Sequence, residues 1–590
     1  IAEITLPYKH HKVTAQVYKR VNASGIRDYF IESEIFSFPY DKSDISNPEG
    51  AVKETVVYNA VSALLILMGE TRPDVLFLAD WQSGLILSYF AESFDNDFAF
   101  LHKAVIRTPQ AITNGYDLML NYRQANYRHW LTPIAWINNE AYRGQFRIAN
   151  KDHFTWETGL VSERAFEHAR WITPGHGQEM SAIFLKLLVE TVAGWGGSVI
   201  TVSENYANEI MGVHLFPGHY PGMLHGILNR IGVKGVLNGT PSEWKYVERL
   251  EEKDQAKQAL LAELNMASGA DQVLSFMISR LVSQKGVSLF IDGTELIAQM
   301  LRDFPEAVLI IGGKVESRWR EAFEGFKERL EREFPSRVRV SLSFLPLKMV
   351  EDVFKAGDWN LFPSLYEPAG TLYKGSVNMV LTVARLTGGL IECAQEIDLK
   401  EGRGNSVTFS DFTPEAFVGA WRRALEISRD KRLLKAIQQS APATAKTWDD
   451  QAKKYFHYVK VSAAERRFFE GQGQNGAGTN SAVLDQEMAK GQDMIHRRDT
   501  PPQPVQRDES GLFMRIGESL LSWMKANGTA AWGTASPDFA RIAITEVVNI
   551  SYGHYRVQAY PVADSAFMKE AAKLLEDNRG QGCPEPGALG

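Results

Sequence analysis

Pro73-Asp74-Val75-Leu76-Phe77-Leu78-Ala79-Asp80 is an unbroken apolar run that closes on a carboxylate. Before it, Ala51–Gly69 carries Val56, Val57, Ala60, Val61, Leu64 and Leu65 on one side, as a helix would. A helix followed by a continuous apolar strand is the pattern of a parallel sheet, whose strands are buried on both faces. Pro133–Ile137 and Gly197–Val202 repeat the strand pattern. The stretch Phe90–Arg128, between Asp80 and Pro133, is aromatic-rich and reads as an insertion. Its Tyr89, Phe90, Phe94, Tyr116, Tyr122, Tyr127 and Trp130 read first as packing, with a sugar-stacking surface as the other reading.

A second alternating block follows Gly239. Strands are expected at Val273–Ser279, Ala307–Gly313, Val338–Phe344, Trp359–Phe362 and Met379–Ala384, and helices at Val287–Phe304 and Glu316–Phe334. Two successive blocks of this kind predict an α/β chain of two Rossmann-like domains facing a cleft, with a small C-terminal α+β extension. The divisions fall at 1–240, 241–445, a closing helix at 446–469, a linker at 470–510 and a small region at 511–590. The linker is marked by the Gly, Gln and Asn of 471–481 and by Pro501, Pro502 and Pro504. Beyond it, Leu512–Ala526 reads as an amphipathic helix and Arg541–Tyr560 as one or two strands. Residues after Arg579 read as frayed.

Composition narrows the function classes. At 590 residues the chain is long enough for about three to four domains. With 44% hydrophobic and 23% charged residues it is neither disordered, collagenous nor a disulfide scaffold. Its two cysteines, Cys393 and Cys583, stand in distant contexts and fit a reducing compartment. A net charge of −7 argues against nucleic acid as a partner. No run reaches the ~20 apolar residues of a membrane span. No metal is expected: a helical pair with His168 would need a second histidine at Ile172, and His10 and His11 point to opposite faces of a strand.

Four segments carry candidate chemistry. Ser279-Arg280-Leu281-Val282-Ser283-Gln284-Lys285-Gly286 puts two cations at a strand end, where open parallel sheets bind ligands; they suit a diphosphate, or are solvated surface charges. Pro363-Ser364-Leu365-Tyr366-Glu367-Pro368-Ala369-Gly370-Thr371 places a carboxylate before a glycine turn, either to support a developing oxocarbenium ion or to cap a helix. Arg385-Leu386-Thr387-Gly388-Gly389-Leu390 has a glycine pair that allows close backbone approach. Ala79-Asp80-Trp81-Gln82-Ser83-Gly84-Leu85 delivers Asp80 to a sheet edge. Singly, a Gly-Gly turn or a strand-end aspartate is usually structural.

In this order, the four resemble the bacterial glycogen synthase and plant starch synthase family, glycosyltransferase family 5. The resemblance runs from about Glu3 to Val459 and includes Ile137–Gly144, Thr201–Ile210, Gly235–Gly239 and Thr447–Tyr455. It implies a GT-B fold and transfer of glucose, with retention, from ADP-glucose or UDP-glucose to the non-reducing end of an α-1,4-glucan. It further implies that Arg280 and Lys285 hold the diphosphate and that Glu367 faces the sugar. Gly370 and Thr371 would give backbone contacts, and Thr387, Gly388 and Gly389 would lie beside the phosphates. Asp80 would face the acceptor and the reacting sugar. Asn138 stands where the family has its active-site histidine, and Phe344 adjoins the position expected to stack on the base, here Leu345. No cofactor beyond the nucleotide-sugar is implied. The implied compartment is the cytoplasm, or the plastid stroma for a plant or alga. Oligomeric state is not legible.

There are departures. Nothing matches the family's Lys-x-Gly-Gly-Leu loop, and Ile1 begins within what resembles the strand after it. Ala79 replaces a histidine, and Thr240-Pro241 replaces the usual boundary residues. The alternative expectation is therefore a catalytically degenerate homologue that binds glucan or nucleotide-sugar. Another GT-B transferase, of the sucrose or trehalose synthase kind, is disfavoured by the Thr-Gly-Gly-Leu and closing-helix matches.

Overall fold

The computed structural model describes residues 1–21, 27–36, 48–69, 73, 75–95, 99–124, 131–172, 179–213, 222–369, 372–455, 458, 541–550 and 554–561. Contacts divide the chain into two compact units: residues 1–200 with those from 452 onward, and residues 201–451. Residues 201–240, expected with the first domain, thus cluster with the second unit. The expected linker at 470–510, the Leu512–Ala526 helix and the end after Arg579 lie outside the described residues.

The first unit contains β1 (Ala2–Tyr8), β2 (His11–Val21), β3 (Arg27–Glu32), β4 (Val75–Ala79), β5 (Val105–Arg107), β6 (Ile112–Asn114), β7 (Thr132–Ile137), β8 (Gln145–Arg147), β9 (Arg170–Ile172), β10 (Met180–Ile183) and β11 (Ser198–Thr201). β4 runs parallel to β7, Val75 opposite Thr132 through Ala79 opposite Trp136. Both strands are buried throughout, as their unbroken apolar sequence requires. β1 instead alternates buried and half-buried residues in an antiparallel pairing with β2. The stretch read as an insertion extends this antiparallel half: β5 pairs with β1, and β6 with β5. Tyr89 and Phe90 are core residues there, on the helix Ile86–Asp95, whereas Tyr116 is partly exposed against His102.

The second unit contains β12 (Val233–Gly235), β13 (Val273–Ile278), β14 (Ala307–Gly312), β15 (Val338–Ser341), β16 (Trp359–Phe362), β17 (Leu381–Arg385) and β18 (Ser406–Phe409). The last six form one parallel sheet in the order β15-β14-β13-β16-β17-β18. Alternate residues of β13 feed opposite cores. Val273 and Met277 pack in one layer with Phe290, Phe323 and Trp421. Leu274 and Phe276 pack in the other with Leu260, Leu261 and Phe354. Two buried indoles find hydroxyl partners across the layers, Trp421 donating to Ser275 and Trp359 to Ser428, each at 2.8 Å.

Several element bounds differ from expectation. The helix expected at Val287–Phe304 breaks into Val287–Asp292 and Thr294–Asp303 around Gly293, where a Cβ would meet the Leu289 carbonyl oxygen at 2.5 Å. The expected helix at Glu316 starts only at Arg320, after a short 3-10 turn. β15 ends at Ser341 rather than Phe344. At 448–455 a helix opens on a Thr447–Asp450 capping pair, and its Tyr455 ring packs 5.3 Å from that of Trp136.

The chain then returns to the first unit as β19 (Arg541–Ile550) and β20 (His554–Pro561), where one or two strands were expected at Arg541–Tyr560. They form an antiparallel hairpin. β19 runs parallel to β4 and β20 antiparallel to β3, so the hairpin joins the parallel strands to the antiparallel ones. Among the described residues, no helix is long and apolar enough to cross a membrane.

Candidate active site

The sheet of the second unit has the strand order 3-2-1-4-5-6 when numbered from β13. In such a sheet the connections leave the first and fourth strands in opposite directions, and a crevice opens at their carboxyl ends. The loops after β13 and β16 carry Lys285 and Glu367. They are held together closely: the Leu365 N–H donates to the Gln284 carbonyl at 2.8 Å. Gly286 has φ +73°, and a Cβ there would lie 1.9 Å from the Pro363 carbonyl oxygen. Only glycine fits this crossing.

Lys285 Nζ donates to both oxygens of Glu367, at 2.8 and 2.6 Å. Glu367 is 3% exposed, and the pair is largely removed from water. A carboxylate so buried keeps its charge at acceptable cost only if it is paired and hydrogen-bonded. Ser364 Oγ supplies a further bond to Glu367 Oε2 at 2.9 Å.

The backbone around Glu367 is braced from β17. Arg385, fully buried, donates from Nη1 to the carbonyls of Ser364 and Leu365 at 3.4 and 2.8 Å, and from Nε to that of Ser410. The turn after β17 has Gly388 at φ +46°, where a Cβ would lie 2.1 Å from the Glu367 carbonyl oxygen. The Gly389 N–H donates to that same carbonyl at 2.8 Å. Lys285, Glu367, Gly388 and Gly389 are therefore one connected group, with Thr387 beside them. Ser364 and Arg385 lie inside segments singled out in the sequence, but no role was legible for either. Their signal was position alone: a hydroxyl three residues before Glu367, and a cation two before the Thr-Gly-Gly turn.

Arg280 lies just past the end of β13, where Leu281 bridges to Val315. Phe344 is 73% exposed, beyond the end of β15, whereas Leu345 packs towards Gly312. The exposed aromatic is thus Phe344. Gly370 and Thr371 lie outside the described residues.

Asp80 and Asn138 belong to the first unit, at the carboxyl ends of β4 and β7. Asp80 Oδ1 accepts the Asn138 N–H at 2.7 Å and Oδ2 accepts Asn138 Nδ2 at 2.9 Å. The Asp80 N–H donates to the Trp136 carbonyl at 2.8 Å. These bonds hold Asp80 at φ +51°, a strained backbone for a non-glycine residue that costs of order 1–3 kcal/mol. Burial pushes its carboxyl up to about 6, against the lowering effect of the bonds from Asn138 and Asn139. Asn59 fixes the turn that follows. Its side chain accepts the N–H groups of Leu85 and Ile86, both at 3.0 Å, and donates to the Gln82 carbonyl at 2.7 Å.

Residues 2–230 match the starch synthase catalytic domain. A glycogen synthase of Thermotoga maritima is 22% identical over 448 residues, spanning 75% of this chain and 82% of the relative. One from Kosmotoga olearia is 27% identical over 480 residues, 78% of this chain and 85% of the relative. Among solved structures, the catalytic domain of starch synthase IV from Arabidopsis thaliana, bound to ADP and acarbose, has the same fold. Its TM-score is 0.58 at 18% identity, over 78% of this chain and 87% of that one.

Proposed function

This chain belongs to the glycogen and starch synthase family of GT-B glycosyltransferases, and from that premise we propose that it moves glucose from a nucleotide-sugar, ADP-glucose or UDP-glucose, to the non-reducing end of an α-1,4-glucan with retention. The observation that carries the reading is the buried Lys285–Glu367 pair at the switch point of the second sheet.

Cleavage of the glycosyl–phosphate bond builds negative charge on the departing diphosphate. Arg280 and Lys285 are the cations assigned to it, and fixed charge of this kind is the largest common source of rate enhancement. The carboxylate of Glu367 is assigned to the sugar side, where positive charge develops. Without donor, Glu367 neutralises Lys285; an arriving diphosphate offers the ammonium a second anion. Backbone groups of Gly370, Thr371, Thr387, Gly388 and Gly389 are assigned to the donor, and the exposed ring of Phe344 to the base. From the first unit, Asp80 and Asn138 are assigned to the acceptor and the reacting sugar. Asn138 can exchange hydrogen bonds with a hydroxyl but cannot carry a proton between groups. In this reading the departing phosphate accepts the acceptor's proton. No metal or other cofactor takes part. The cytoplasm is the proposed compartment.

The test is incorporation of labelled glucose into glycogen, with ADP-glucose and UDP-glucose offered separately. Incorporation from either donor is expected. Binding of nucleotide-sugar or glucan without turnover would overturn the reading in favour of a non-catalytic homologue.

A further inference from the structure

The Thr387–Gly389 turn and the backbone of Glu367 are gripped from a third side by the helix Glu204–Met211. Glu209 Oε1 accepts the Gly388 N–H at 2.7 Å and the Thr387 hydroxyl at 3.2 Å. Glu209 is buried, as are Thr387 and Gly388. At the N-cap of the same helix, six residues earlier, Ser203 Oγ donates to the carbonyl of Pro368, the residue after Glu367, at 2.8 Å. The Asn205 N–H donates to Glu392 Oε1, also at 2.8 Å. Segments about 180 residues apart in sequence are thus tied at the turn, at the Glu367 loop and at the short helix Gly389–Cys393.

The chemistry of the turn explains why it needs such a partner. Gly388 stands at φ +46°, ψ −131°, a conformation that aims its N–H away from the regular helix bonding that begins at Gly389. That N–H is removed from water and requires an acceptor. An ionised carboxylate gives a charge-assisted bond, stronger than a neutral acceptor would give. The next N–H, from Gly389, then holds the Glu367 carbonyl. Glu209 is thereby two hydrogen bonds from the backbone of the proposed sugar-facing carboxylate.

We infer that Glu209 is a positioning residue for the donor: through the Gly388 N–H it fixes the turn that presents Thr387 and Gly389 and anchors Glu367. Glu209 touches no substrate in this account and acts through the turn. The inference rests on the donor assignment proposed above.

The experiment titrates the full chain with ADP and with UDP by calorimetry, for wild type, Glu209→Ala and Glu209→Gln, and measures donor and acceptor KM alongside melting temperature. Glu209→Ala leaves the Gly388 N–H without its acceptor, so nucleotide Kd and donor KM are expected to rise about tenfold, a shift typical of one lost well-formed bond. Acceptor KM is expected to stay within about twofold. Glu209→Gln keeps an oxygen at the same place and is expected to recover most of the affinity. If Glu209→Ala does not fold, Thr387→Val removes one of the two donors to Glu209 while keeping the side-chain shape, and a smaller rise in nucleotide Kd is expected. Variants that melt lower but bind nucleotide like wild type would overturn the positioning role and leave the donor assignment standing. A wild-type chain that binds neither nucleotide would overturn both.

Discussion

Lys285 Nζ sits 2.8 and 2.6 Å from the two carboxylate oxygens of Glu367, joining the loops after β13 and β16 at the point where the sheet's winding reverses. Removing the lysine leaves a buried carboxylate uncompensated. Lys285→Ala is therefore expected to destabilise the chain by on the order of 3 kcal/mol. It should also slow glucose transfer roughly 10²- to 10³-fold through the lost charge on the diphosphate. Urea unfolding and initial rates separate the two effects.

Asp80 sets a pH dependence. Its carboxyl titrates at about 6 because it is buried, well above the ordinary 3.8. The folded state thus holds this proton more tightly than the unfolded chain. The stabilisation this proton gives is complete below pH 4 and lost as the pH rises through 6. The melting temperature of Asp80→Asn relative to wild type is expected to climb across that window. Activity moves the other way: kcat/KM of wild type should fall below about pH 6 as the carboxylate is neutralised. In Asp80→Asn that acid limb should be absent.

Phe344 is exposed and carries no packing duty. Phe344→Ala is expected to leave the melting temperature unchanged. Stacking on a base is worth about 1–3 kcal/mol, so donor KM should rise roughly tenfold with acceptor KM unaffected. Steady-state kinetics with each substrate varied in turn makes the distinction.

The second unit holds another buried ion pair. Lys257 Nζ lies 3.1 and 2.8 Å from the oxygens of Asp358, which also accept the Leu274 N–H and Gln438 Nε2. Burial alone would raise the Asp358 carboxyl, but the nearby Lys257 and Lys253 and the bonds from Lys257 and the Leu274 N–H carry it below its ordinary value. Its stabilisation is present above about pH 4 and is lost as the pH falls lower. Lys257→Met should cost about 3–5 kcal/mol in urea unfolding at pH 7. Adding Asp358→Asn should recover part of that loss by removing the stranded charge while keeping an acceptor for Leu274.

The legible parts of this molecule are those where one local pattern decides. The runs at 73–80, 273–279 and 307–313 could only be strands buried on both faces, and the strand-end motifs followed from them. Asn59 interrupts an apolar helix pattern, and its role appears only when the turn after β4 comes back to be capped. The roles of Arg385 and Glu209 were invisible for the same reason, because each acts on groups far from it in sequence. The break at Gly293 was missed since the hydrophobic period runs through it. The placement of β19 beside β4 could not be read at all, because nothing local records which strands a distant hairpin will pair with.

The most direct test of the central claim measures labelled glucose passing from ADP-glucose and UDP-glucose to glycogen, in wild type and in Glu367→Ala at matched folded fraction. Robust incorporation by wild type, reduced at least about 10²-fold in the variant, is the predicted result. Equal incorporation by the two proteins would contradict it, since the carboxylate paired with Lys285 would then have no part in the transfer.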